Sequence, residues 1–98
     1  MFNPDTADTT ELRAYYQRAN RATSALCERL DAMGHDDDDD DDVERVLYAL
    51  KNVSLWLRYL SESIRARRAK RARCIDLVLY HENNCEQIYN QLPARMRW

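Results

Sequence analysis

Val43, Val46, Leu50, Val53, Leu57, Leu60 and Ile64 recur in alternating steps of three and four residues over three heptads. That spacing constrains the fold more than any other feature of the chain. On a helix of 3.6 residues per turn the seven side chains form one continuous apolar seam, which is stable only when other helices cover it. A single glycine and two prolines (Pro4 and Pro93) in 98 residues supply too few turns for a β-rich alternative. The chain must therefore provide, or find, more amphipathic helix.

Two segments within it qualify. From about residue 9 to 33, Leu12, Tyr16, Ala19, Thr23, Leu26, Leu30 and Met33 trace a second stripe. Asp8 suits its N-cap, Glu11 follows at capping-box spacing, and Gly34 suits the position after the last turn. From about 74 to 92, Ile75, Val78, Cys85, Tyr89 and Leu92 share a face, and Pro93 stops the helix. Leu47 and Trp56 widen the central seam.

The expected architecture is a single all-α domain, a small three-helix antiparallel bundle. Its helices cover about 9–33, 43–64 and 74–92, with an acidic loop at 34–42, a basic segment at 65–73 and a short tail at 93–98. The runner-up turns on "RARRAKRAR", residues 65–73. The seam stops there, because Arg67 and Arg71 occupy its next positions. Yet Arg, Ala and Lys are strong helix formers, and no Gly, Pro, Asn or Asp interrupts the run. The alternative is a first helix packed on one long helix spanning about 43–92.

Charge is segregated. Residues 1–50 carry five basic and thirteen acidic side chains, a net of −8, whereas residues 51–98 carry ten and four, a net of +6. Such two-ended proteins present complementary surfaces to a partner or to a second copy. Asp41 or Asp42 can cap the second helix, with Glu44 three residues beyond Asp41. Asp36, Asp37, Asp38, Asp39 and Asp40 exceed any capping need and are the expected acidic docking loop. Arg65, Arg67, Arg68, Lys70, Arg71 and Arg73 are the opposite group, expected to meet a protein partner or nucleic acid. A helical wheel spreads these cations around every face, and no aromatics interleave them for base stacking, which favours the protein partner. Trp98, at the end of the basic tail "PARMRW", is the expected docking anchor.

Chemistry at a site finds little support. Consecutive aspartates diverge from one another and lack the glycine of a calcium loop. Cys74, His81 and Cys85 share a helix face, but Cys74 and Cys85 stand roughly 16 Å apart along the axis and cannot share one ion. No phosphate loop, nucleophile elbow or metalloprotease motif occurs. Hence no metal, cofactor, small-molecule substrate or enzymatic activity is expected. No run approaches a membrane span, no signal peptide is evident, and three cysteines without a framework spacing suggest free thiols in a reducing, intracellular compartment. The expected function is that of a small interaction protein (a subunit, adaptor or inhibitor) docking by helix faces and segregated charge. Its partner is another protein or a second copy, with nucleic-acid binding through 65–73 as the alternative.

Overall fold

The computed structural model describes residues 2–33 and 40–98. It contains three helices, α1 (Thr9–Met33), α2 (Asp40–Arg71) and α3 (Ile75–Gln91), followed by a short 3-10 turn, Ala94–Met96. The chain is an all-α bundle in which α1 and α3 each pack antiparallel along α2.

The start of α1 follows its local sequence. Asp8 Oδ1 accepts from the Glu11 backbone N–H at 2.8 Å, the capping bond its position predicts. Ahead of it, Asn3 turns the chain: its side chain accepts from Asp5 N–H at 2.9 Å and its carbonyl from Ala7 N–H at 3.0 Å. Leu12 and Ala19 are buried against Val53, Leu57, Leu60 and Ile64 of the α2 seam. Gly34, proposed as the residue closing α1, lies outside the described residues.

α2 differs from its sequence reading at both ends. It already includes Asp40, so Asp41 and Asp42 stand in its first turn, where exposed N–H groups favour carboxylates. At the other end the seam stops after Ile64 but the helix continues to Arg71, giving about 48 Å of helix at 1.5 Å per residue. The extension is held by a second face. Leu55 and Tyr59 pack on Ile88 of α3 and on Leu92 just beyond its end, and Ala66 and Ala69 further along are buried. At about 100° per residue, the α1-facing and α3-facing directions on α2 differ by about 150°. Among the described residues α1 and α3 make no direct helix–helix packing, so both cores are built on α2.

The reversal between α2 and α3 is made without glycine. Arg73 adopts φ 57, its N–H bonds the Lys70 carbonyl at 3.1 Å, and Cys74 N–H bonds the Ala69 carbonyl at 3.0 Å. This is the Schellman pattern with arginine in the left-handed position normally taken by glycine. The turn leaves the compact arrangement, and not the long rod, as the structure of this chain.

The two chain ends close the fold over Trp56. Phe2 stacks on Tyr15 at 3.6 Å and meets Trp56 edge-on at 5.9 Å. Trp98 folds back, with its ring 5.5 Å from Trp56, 4.6 Å from Tyr59 and 4.8 Å from Tyr89. Asp5 ties the ends together, accepting from Tyr59 Oη and from Trp98 Nε1, both at 3.0 Å. Tyr89 Oη donates to the Trp98 carbonyl at 2.7 Å. Trp56 thus belongs to both apolar clusters, the α1–α2 core and the α2–α3 core.

Candidate functional site

α3 buries one stripe: Ile88 and Leu92 fully, with Val78, His81, Cys85 and Tyr89 half-buried. Ile75, which the spacing groups with Val78 and Cys85, does not share their burial. It lies about 90° from the centre of the stripe, at the edge where α2 is already ending. Around it the first two turns leave large apolar side chains in solvent: Ile75 is 71% exposed, Leu77 49%, Leu79 60% and Tyr80 61%. The outward side of the second half carries Glu82, Asn83, Glu86, Gln87, Asn90 and Gln91 instead. One helix therefore offers solvent an apolar half and a polar half. Leu47 and Tyr48 at the far end of α2 are also about half exposed.

The apolar half of α3 adjoins the basic segment, whose six cations the structure separates by role. Arg67 is half-buried and works inside the fold. Its guanidinium donates to the Ala7 carbonyl and, at 3.2 Å, to the Pro4 carbonyl, fastening the N-terminal turn to α2. Lys70 pairs with Glu82 at 3.2 Å, across the turn onto α3. Arg65 approaches Glu62 at 3.8 Å and remains largely exposed. Arg68, Arg71 and Arg73 are exposed and make no ion pair among the described residues. Four of the six, Arg65, Arg68, Arg71 and Arg73, therefore present charge to the surroundings.

Of the acidic run, Asp36, Asp37, Asp38 and Asp39 lie outside the described residues, and Asp40 is the first residue of α2. Asp42 approaches Arg45 at 3.9 Å, an exposed pair worth little. α1 from Leu12 to Met33 and α2 from Leu60 back to Asp40 both cover about 30 Å. Their antiparallel packing therefore puts Met33 and Asp40 at the pole opposite the basic turn. Trp98, the candidate docking anchor, is packed against Trp56, Tyr59 and Tyr89, with its indole N–H bonded to Asp5. It covers the chain's own core.

A groove of about 640 Å³ runs between the N-terminal turn, α2, α3 and Trp98, lined in part by Asp5, Tyr59, Ser63, Arg67, Lys70 and Cys85. Its groups are engaged with one another. Burial, followed by the Asp5 carboxylate, pushes the Tyr59 phenol above its ordinary value. Burial also pushes the Cys85 thiol up, beside Ser63 Oγ at 3.7 Å. A thiol held protonated is the reverse of an activated nucleophile. His81 Nδ1 lies 2.5 Å from Glu62 Oε2, which also accepts from Asn84 Nδ2 at 3.4 Å. Among the described residues no three metal-ligating side chains converge, and no helix is long and apolar enough to cross a membrane.

Comparison with known proteins finds no family model, no curated protein and no solved structure that matches the chain.

Leu77, Leu79 and Tyr80 did not enter the sequence reading of the site. The signal for them is "CIDLVLY", residues 74–80, in which apolar residues cover more of the helix circumference than one neighbouring helix can bury.

Proposed function

We propose that this chain is a small non-enzymatic interaction protein that docks a protein partner on the outward face of the first two turns of α3. The observation that carries the reading is the exposure of Ile75, Leu77, Leu79 and Tyr80 together on one short stretch. Scattered surface leucines are ordinary, whereas four large apolar side chains exposed within six residues, in two pairs flanking the exposed Asp76, are the kind of surface that partners cover. The exposed Arg71 and Arg73 immediately precede this stretch in the chain, and Arg68 stands one turn back on α2. A partner with an apolar ridge and an acidic rim complements it, the ridge supplying affinity and the charges supplying rate and orientation.

The test is affinity isolation from the native host with the full chain as bait. Ile75→Glu with Leu79→Glu is compared against Asn83→Glu with Gln87→Glu, which adds the same charge to the polar half of α3. Loss of the captured partner with the first pair alone supports the reading; equal capture by both baits refutes it.

Nucleic-acid binding is a second reading, favoured by the exposure of Arg65, Arg68, Arg71 and Arg73. A mobility-shift assay at low salt with Arg68→Glu and Arg71→Glu tests it. Arg67 is unsuitable as a probe, since it holds the N-terminal turn.

A further inference from the structure

On the side of α2 away from the chain ends, a second groove of about 300 Å³ opens between α1 and α2, lined by Arg13, Tyr16, Ser61, Ile64, Arg65 and Arg68. Three arginines from two helices line this one space, with Ser61 and Tyr16 beside them and Ile64 as the apolar element. No carboxylate lines it. Arg13 and Arg68 make no ion pair among the described residues, and Arg65 has only the 3.8 Å approach to Glu62, whose other oxygen is bonded to His81.

The contrast with the larger groove is chemical. There most charges are matched, Lys70 to Glu82, Arg67 to two carbonyls, and Asp5 to Tyr59 and Trp98, and the remaining one, Glu86, is negative. In the α1–α2 groove Arg13 and Arg68 are unmatched and Arg65 only loosely paired, and like charges held in one concave site repel unless an anion enters between them.

We infer that the α1–α2 groove is a binding site for a phosphate-type oxyanion. Guanidinium presents parallel N–H donors that match two oxygens of a phosphate, and an arginine cluster drawn from separate helices can engage several oxygens at once. Ser61 and Tyr16 add hydroxyl donors. The volume holds roughly ten waters' worth of space, enough for a phosphate group with part of its hydration shell. The site is independent of the α3 docking face, and its basis is the donor set in the groove, not the number of cations in residues 65–73. Arg13 lies more than fifty positions earlier in the chain.

The test is calorimetric titration of the full chain with inorganic phosphate at low ionic strength. The variants are Arg13→Gln with Arg68→Gln, and Arg71→Gln with Arg73→Gln, which removes the same charge outside the groove. Helical circular dichroism verifies that each remains folded. The expected result is saturable one-to-one binding, weakened at least tenfold by the first pair and less than twofold by the second. Non-saturable binding, or equal weakening by both pairs, overturns the site, because it reduces the effect to general electrostatics. A second arm uses a single-stranded oligonucleotide. Tighter binding through the same two arginines makes the bound group a backbone phosphodiester; binding no tighter than inorganic phosphate makes it a free phosphate or phosphomonoester. Tighter oligonucleotide binding that ignores the groove variants counts against the site as the source of any nucleic-acid affinity.

Discussion

The two halves of α3 belong to one uninterrupted helix and face opposite fates. In the second half, Ile88 and Leu92 are buried on Leu55 and Tyr59, the outward side is polar, and Trp98 lies across the end. In the first half, the helix leaves a left-handed turn at Arg73 and puts Ile75, Leu77, Leu79 and Tyr80 into solvent. Hydrophobicity by itself does not separate the halves; the presence of a neighbour does. α2 ends at Arg71, so the first turns of α3 run beside a helix that is finishing, whereas the later turns lie along its middle.

This difference makes graded expectations. Leu92→Ala leaves a cavity in the packed half and should lower the unfolding free energy by about 2–5 kcal/mol. Leu79→Ala removes the same atoms from the exposed half and should change it by less than about 0.5 kcal/mol. Chemical denaturation of both variants measures the gap, and similar losses would show that the first half is packed after all.

A smaller effect is expected at alkaline pH, where the packed half rests on Tyr59 and Cys85. Both have folded values raised above their ordinary values of 10.0 and 9.0, chiefly by burial. The unfolded chain therefore loses these protons first. Their contribution is fully present below pH 9 and is lost as pH rises, first through Cys85 and then through Tyr59. Tyr59→Phe costs about 1 kcal/mol at neutral pH through the hydrogen bond to Asp5. It should also flatten the decline above pH 10. A variant that loses stability with pH as steeply as the parent would exclude Tyr59 as a source.

The turn that begins the exposed half gives the only gain. Arg73→Gly relieves the left-handed strain and should stabilise the fold by about 0.5–1 kcal/mol. Thermal unfolding shows it as a raised midpoint. A lowered midpoint would mean that the arginine side chain contributes more than its backbone costs.

Much of the architecture was legible in the residues. The Asp8 cap, the α1 stripe and the α2 seam are short-range patterns, because a helix repeats every 3.6 residues and a capping bond spans three. The turn at Arg73 was not legible, since arginine carries no signal for positive φ and the surrounding residues favour continued helix. The role of Arg67 was equally hidden. In the sequence it is one of six cations, and only packing brings it to the carbonyls of Pro4 and Ala7. Trp98 resembled a free anchor because nothing local reveals that Asp5, ninety-three residues away, accepts its indole N–H.

By itself, the sequence determined that this protein is all-helical, that the helix containing residues 43–64 needs covering, and that its charge is divided between the two halves. These follow from periodicity and composition, which act over a few residues. Tertiary structure decided which apolar residues remain uncovered, which cations are used internally, and which arginines share a groove. Those outcomes depend on where α2 ends relative to its neighbours and on contacts between residues more than fifty positions apart, distances over which sequence pattern carries no register.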